Sequence, residues 1–441
     1  MVSSRRHRGV ILIGISLLAI LAFVASDGPV RIAHVMARGA IQNFDLVSAQ
    51  HWVERARRVS SRNPETELIA ARIARRQGDL DEAADLLRQA EQWGADRRDV
   101  RLEELLALAQ TGNLDPIESE LATRLAEPGA PTDEISDAYA NGLAVASRFE
   151  DAASLLAAWR DDYPDDPRPH YRLGRLHEHF ERWEAAEAAH REALRINDDF
   201  HPARYRLGRV LTMQRRLDEA ESEFRKSLEV SNPLAAKVEL AASLRGLGRA
   251  DEARDLLRDV LAHPRESINA SYRAFGENPG HFSAAAMLGD LESESGNPDE
   301  AMQWLQLALD DNPRDLTARY SMAMTLRQLG RNDEAEAEFE RVRVARAALE
   351  RINPLRDRVS TRPDDLEARL ELGEILLEHE SQKMGLFWIR SILGYAPNHA
   401  GAHQALARYY RQRQVDDPQY AALASQHERA ANDAADSAPE R

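Results

Sequence analysis

Cysteine is absent from the 441-residue chain, and lysine occurs only at positions 226, 237 and 383. The lack of thiols excludes disulfides, cysteine-ligated zinc or iron–sulfur sites and thiol nucleophiles. Aromatic residues make up only 6% of the chain, while alanine, leucine, glutamate and arginine are frequent, a composition that favours helices over a β-sandwich. The sequence therefore predicts an all-α protein in which arginine supplies nearly all of the positive charge.

Sequence motifs of common enzymes are also missing. The chain has no phosphate-binding glycine loop followed by Lys-Ser/Thr, no His-Glu-x-x-His and no Gly-x-Ser-x-Gly. His177 and His179 would point to different faces of a helix, and His399 and His403 have no third ligand beside them. A net charge of −16 opposes contact with nucleic-acid phosphates. We expect no enzyme, no cofactor, no metal and no nucleic-acid partner.

A pentapeptide repeat reveals the organisation of the chain. Tyr-Arg-Leu-Gly-Arg stands at 171–175 and again 34 residues later, at 205–209. A period near this length is expected of helix–turn–helix units that stack into a solenoid. A small side chain recurs where the second helix of each unit must approach the first closely, mostly at steps of 33 to 35 residues and at two longer steps, of 48 residues (253 to 301) and 50 residues (335 to 385). The series is Ala49, Ala83, Ile117, Ala152, Ala186, Ala220, Ala253, Ala301, Ala335 and Gly385.

The pattern resembles the tetratricopeptide repeat family. Leu-Gly in the first helix, a small residue in the second and proline near the end of a unit are shared, although Ile117 departs from the small-residue rule. The resemblance extends over residues 31–412 and implies about ten repeats in a right-handed superhelical solenoid of antiparallel helix pairs. It also implies a concave groove that binds peptides and a non-enzymatic role as a protein-interaction scaffold.

Paired carboxylates recur at one position of the repeat. The triplet Asp-Glu-Ala begins at positions 81, 218, 251, 299 and 333, each time directly after a predicted turn. Carboxylates are favoured in the first turn of a helix because the helix dipole is positive there. The triplets therefore predict helix starts rather than acid/base sites.

The sequence predicts seven segments. They are a basic cytoplasmic tail (1–8), a transmembrane signal anchor (9–26), an N-terminal repeat array (31–263), a long connection (264–281), a C-terminal array (282–412) with a second long connection near 343–365, a terminal capping helix (413–430) and a disordered tail (431–441).

The N-terminus suggests a membrane location. Arg5, Arg6 and Arg8 precede an uncharged apolar run over 9–26, which as a helix would be about 27 Å long, close to a bilayer core. The basic flank favours a cytoplasmic N-terminus, so we expect the repeats on the periplasmic side of a bacterial inner membrane. The alternative is a signal peptide cleaved near 24–26, which would release the protein into the periplasm.

The candidate binding site lies on the first helices of two central units. The expected groove residues are Arg168, Tyr171, Arg172, Arg175, His179, Tyr205, Arg206 and Arg209. Arginine forks and tyrosine rings one repeat apart would suit an acidic or C-terminal peptide, unless Glu178 and Glu181 neutralise the arginines. The lysine and asparagine of the family's known carboxylate clamp are not matched. A periplasmic assembly chaperone or translocation accessory that holds clients transiently is the alternative function.

Overall fold

The computed structural model describes residues 28–231, 233–277, 283–414 and 418–436. Over these ranges the chain consists of helices and their connections, without a β-strand. The predicted basic tail and signal anchor, residues 1–8 and 9–26, lie outside the described residues. In the described ranges, no helix combines the length and apolar character needed to cross a bilayer.

The chain divides into two compact units, Met1–Ala284 and Ala285–Arg441. The helices up to the boundary are α1 (Gly28–Gln42), α2 (Leu46–Val59), α3 (Pro64–Arg76), α4 (Leu80–Gln92), α5 (Arg97–Gln110), α6 (Glu118–Leu125), α7 (Thr132–Val145), α8 (Phe149–Asp162), α9 (Arg168–His179), α10 (Trp183–Ile196), α11 (His201–Met213), α12 (Leu217–Ser231), α13 (Leu234–Gly246), α14 (Ala250–Leu261) and α15 (Arg265–Ala274). The remaining helices are α16 (Ala284–Glu294), α17 (Pro298–Asp311), α18 (Leu316–Gln328), α19 (Asn332–Glu350), α20 (Ile352–Thr361), α21 (Leu366–His379), α22 (Gln382–Tyr395), α23 (Ala400–Gln412) and α24 (Pro418–Asp436).

Helices of the first unit pack in sequence order, as expected for stacked helix pairs. Most helices contact the one that follows, and each odd-numbered helix from α1 to α13 also contacts the next odd-numbered helix. The odd-numbered helices therefore form one continuous layer, which we call the inner layer. It contains α9 and α11, which carry the predicted groove residues.

The small-residue series lies where the repeat pattern placed it. All ten positions are buried, including the exception, Ile117, which is 3% exposed and precedes α6, a helix of only eight residues. On the inner layer, Gly174 faces His190 and Gly208 faces the Phe224 ring so closely that a Cβ at Gly208 would lie 2.6 Å from that ring. Small side chains thus permit the close helix packing that the period predicted.

The Asp-Glu-Ala triplets mark helix starts, as predicted. Their carboxylates lie in the first turns of α4, α12, α14, α17 and α19. Their place at helix N-termini, where the helix dipole favours negative charge, accounts for their recurrence without acid/base chemistry.

The first long connection is more regular than the sequence suggested. Residues 264–281 contain the helix α15, whose side chains Ile268 and Tyr272 are buried. The amide of Ala235, in α13, donates to the hydroxyl of Ser271. This helix continues the inner layer, and its role in the site is described below.

Two C-terminal expectations also need correction. The second long connection, expected near 343–365, is helical: α19 runs to Glu350, and α20 follows because Ile352, Leu355 and Val359 present one apolar face to α21. The last helix ends at Asp436, so residues 431–436 are helical instead of disordered; Ala431 is 4% exposed.

We predict that Gly208→Ala destabilises the fold by about 1–3 kcal/mol, because the added methyl group would overlap the fully buried Phe224 ring. Gly39→Ala is the matched control, since a Cβ at this position of α1 meets no atom within 4 Å. The control should be neutral or stabilising by up to about 1 kcal/mol. Thermal unfolding of both variants measures the difference, and equal midpoints would contradict the packing described.

Candidate peptide-binding groove

Three aromatic rings, which we call the aromatic junction, connect the first hairpin (α1 and α2) to α9 and α11. The Phe44 ring, between α1 and α2, lies 6.0 Å from the Tyr171 ring of α9 and 5.6 Å from the Phe200 ring before α11. Tyr171 and Phe200 are also 5.6 Å apart. Tyr171 is only 2% exposed, so its ring packs internally instead of presenting the flat contact expected from the sequence.

Arginines of the inner layer pair with carboxylates one helix earlier in the layer. Arg168 lies 2.8 Å from Asp133, and Arg172 lies 2.6 Å from Asp137, in both cases between α9 and α7. Burial alone would raise the pKa of Asp137, but the charge and hydrogen bonds of Arg172 hold that pKa well below its usual range. These two predicted groove arginines are therefore already neutralised.

Arginine–carboxylate pairs between inner helices recur along the layer, with the arginine on the earlier helix in the case of α3 and α5. Arg72 and Arg75 of α3 donate to Glu103 of α5 at 2.6 and 2.9 Å. Burial would raise the pKa of Glu103, but the two arginines lower it to about 2. Glu178 of α9 accepts from His190 of α10 at 2.7 Å and from Arg206 of α11 at 3.2 Å. Ion pairs between adjacent helices thus hold most of the layer's charge.

A stretch of the chain itself occupies the surface of α11. We call Tyr272–Glu277 the resident segment. The Phe275 ring stacks on Tyr205 with centroids 4.0 Å apart and planes 10° apart. Arg206 donates to the Phe275 carbonyl at 2.7 Å and lies 2.9 Å from the Glu277 carboxylate, which Arg209 also contacts. The resident segment is held by one ring stack, one backbone carbonyl and one shared carboxylate.

Gly276 permits the segment to pass close to α9. Its φ of +67° lies in the left-handed region, and its carbonyl accepts from Arg175 at 3.4 Å. A Cβ at this residue would lie 2.7 Å from Nη1 of Arg175. Ala274, two residues before Gly276, packs against the apolar cluster of α1 to α3. One short segment therefore contacts the central helices α9 and α11 as well as the N-terminal helices α1 to α3.

The eight predicted residues separate into two groups. Tyr205, Arg206, Arg209 and Arg175 contact the resident segment. The other four are engaged elsewhere: Arg168 and Arg172 with carboxylates, Tyr171 in the aromatic junction, and the exposed His179 with its ring 4.7 Å from that of Phe149. A role in binding a partner stays a prediction for all eight.

Sequence reasoning did not find the residues of the resident segment. From the sequence, Gly276 and Glu277 are placed only within the long connection 264–281. The available signal was an aromatic residue, Phe275, followed two positions later by a carboxylate, Glu277. Both side chains suit a surface rich in arginine and tyrosine. Nothing local in the sequence indicates that this stretch returns to α11.

Comparison with protein families supports the repeat assignment. Two family models, both described as tetratricopeptide repeat, match residues 140–202 by one model and 244–317 and 294–356 by the other. The chain contains tetratricopeptide repeats. Such repeats bind protein or peptide partners, and proteins built from them are generally scaffolds without enzymatic activity.

Solved tetratricopeptide repeat structures show distant similarity. YrrB, described as a TPR protein with an unusual peptide-binding site, is 20% identical over 49% of this chain and 96% of its own, with a TM-score of 0.29. MamA is 17% identical over 39% and 87%, with a TM-score of 0.32. Human IFIT1, crystallised as a dimer with m7Gppp-AAAA, is 15% identical over 84% and 91%, with a TM-score of 0.42. A search of curated protein sequences finds no significant match.

We predict that Glu178→Gln destabilises the fold at neutral pH by about 1–3 kcal/mol, because buried donors of His190 and Arg206 lose a charged acceptor. Burial would raise the pKa of Glu178, but His190 and Arg206 lower it from 4.5 to about 2. A depressed folded-state pKa adds stability above pH 4.5 that is lost as the pH falls toward 2. The difference in the free energy of unfolding between the wild type and the variant should therefore become smaller as the pH falls from 4.5 toward 2.

Urea unfolding between pH 7 and pH 2 tests this prediction. Glu229→Gln is the control, because Glu229 is exposed and the structure gives it no ion pair among the described residues. A gap for Glu178→Gln that stays constant down to pH 2 would contradict the assigned contacts.

Proposed function

We propose that the chain is a non-enzymatic scaffold that binds partner protein segments on the inner layer of its first unit. The observation that carries the proposal is the resident segment. Tyr205, Arg206 and Arg209, all selected from the sequence as groove residues, hold an aromatic ring and a carboxylate that are two residues apart. A partner segment with the same chemistry would satisfy the same groups.

The contacts define what a partner segment must offer. The Tyr205 ring is 0% exposed while Phe275 covers it, so an incoming segment needs an aromatic or apolar side chain for this surface. The Arg206 guanidinium donates through Nη2 to the Phe275 carbonyl and contacts the Glu277 carboxylate through Nη1. Arg209 adds a second positive charge beside this carboxylate. The partner class is therefore an extended acidic segment with an aromatic residue two positions before a carboxylate.

The resident segment must leave before such a partner can bind. Because it is tethered in the same chain, its effective concentration at α11 is on the order of millimolar. A partner of equal intrinsic affinity, present at micromolar concentration, would be excluded. Partners are thus expected to carry additional contacts or to be held nearby.

We also propose that the chain is anchored in a bacterial inner membrane with the repeats in the periplasm. The support is the sequence of residues 5–26, in which arginines precede an uncharged run of bilayer length. Cleavage near 24–26 and release into the periplasm is the alternative. Anchoring would keep the groove close to partners at the same membrane.

A synthetic peptide of residues 270–277 tests the groove in trans. We predict that the full chain with Phe275→Ala and Glu277→Gln binds the fluorescent peptide at least about tenfold more tightly than the wild type, because the tethered competitor is weakened. Adding Arg209→Gln should remove this binding. Fluorescence anisotropy measures all three proteins.

Glu266→Gln is the matched control, since this exposed carboxylate on α15 pairs with Arg273 and does not contact α11. Equal binding by the wild type and the double variant would contradict exclusion by the resident segment. Failure of the double variant to bind would contradict the proposed groove chemistry. Weak binding of many unrelated unfolded chains would favour the chaperone alternative.

Topology can be tested in cells. We predict that protease added to spheroplasts digests the repeat units, because they lie outside the cytoplasm. A cytoplasmic marker protein should stay intact in the same sample. Protection of the repeats until the membrane is permeabilised would contradict the periplasmic location, and recovery of the uncleaved chain in the membrane fraction would distinguish anchoring from release.

A further inference from the structure

A cavity of about 390 Å³ lies beside the resident segment, within the first unit. Its walls come from α3, α5, α7 and α9 and include Arg76, Gln110, Tyr171 and Arg175; the Phe44 ring lies beside them. Ala274, Gly276 and Glu277 of the resident segment close one side. This volume is at the small end of the range that binds organic ligands.

Glu277 supplies the carboxylate in the cavity wall, and this group already pairs with arginines. Glu277 is shared by Arg206 and Arg209. Two of the lining arginines also have partners outside the cavity wall, Arg172 with Asp137 and Arg273 with Glu266. The charge balance of the cavity therefore depends on the two remaining arginines.

Arg175 has no carboxylate within 4.0 Å among the described residues, and its one hydrogen bond goes to the Gly276 carbonyl at 3.4 Å. Burial lowers the pKa of Arg175 to about 10, with the positive charges of Arg206 and Arg172 also lowering it. The guanidinium still carries its charge at neutral pH. Arg175 therefore places an uncompensated positive charge in the cavity wall.

Arg76 adds a second set of donors on a different helix. Its side chain is 4% exposed, Nη1 donates to the Ile41 carbonyl at 3.1 Å, and Nη2 is 4.0 Å from Glu134. In the described part of the chain, Nε of Arg76 has no acceptor and Oε1 of Gln110 has no donor. A side chain buried to this extent normally has its donors satisfied, so the Nε of Arg76 is available to an acceptor that enters the cavity.

The segment that follows cannot supply the missing negative charge. Residues 278–282, Asn-Pro-Gly-His-Phe, contain no acidic side chain. The cavity is thus a site with surplus donors and surplus positive charge, bounded by the aromatic faces of Phe44 and Tyr171. Small organic anions have complementary properties.

We infer that this cavity binds a small organic polycarboxylate, with two or three carboxylate groups, through Arg175 on α9 and Arg76 on α3. The bound anion contacts the wall formed by Ala274 and Gly276, so it stabilises the resident segment in its place on the inner layer. This inference does not depend on which protein partner the groove takes.

Thermal unfolding of the full chain tests the inference, with succinate and citrate as probes and sodium chloride at matched ionic strength as the reference. Succinate or citrate should raise the unfolding midpoint saturably, since a ligand that binds only the folded state stabilises it by mass action. Inorganic phosphate at the same ionic strength should have a much smaller effect. A shift produced equally by phosphate would overturn the assignment to an organic polycarboxylate.

Arg175→Gln should weaken succinate binding at least tenfold in isothermal titration calorimetry, while leaving the ligand-free protein as stable as the wild type or more stable, because a positive charge without a carboxylate partner is removed. Arg175→Lys should keep part of the affinity. Arg182→Gln is the matched control, since Arg182 is exposed, lies over the Phe180 ring and has no carboxylate within 4.0 Å among the described residues. Absence of any carboxylate-specific shift, or equal shifts in the wild type and Arg175→Gln, would overturn the inference.

Discussion

Close approach of the two helices in each repeat is the constraint on which the first unit depends. It is possible because alanine or glycine occupies the contact position, as at Gly208 against the Phe224 ring. Close packing keeps successive inner helices adjacent, so that an arginine on one helix reaches a carboxylate on its neighbour about one repeat away in sequence. Packing therefore determines the charge pattern of the inner layer.

That charge pattern limits where a ligand can bind. Arginines paired between neighbouring helices, such as Arg172 with Asp137, are costly to separate because each partner would remain buried and unpaired. Arg206 also pairs with Glu178 of α9, but it shares with Arg209 a second carboxylate, Glu277, from the connection after α15. Because Glu277 lies outside the helices, its carboxylate can be exchanged for that of a partner while Arg206 keeps its pair with Glu178, which is why we assign partner binding to α11.

Much of the fold could be predicted from the sequence because its signals are local. The 34-residue period, the buried alanines and the Asp-Glu-Ala helix starts each involve residues of one hairpin. The site was only partly predictable. Tyr171 is covered by Phe44 and Tyr205 by Phe275, contacts between residues far apart in the sequence that depend on the completed stack. The helices α15 and α20 were missed because their apolar residues are few and do not belong to the 34-residue repeat.

Hydrogen–deuterium exchange at residues 272–277 in the full chain tests the central claim, that this segment occupies the inner layer. The account predicts slow exchange in the wild type and faster exchange when Arg206 and Arg209 are both changed to Gln, with α4 as an internal reference that should not change. Exchange in the wild type as fast as in the free 270–277 peptide would contradict the account.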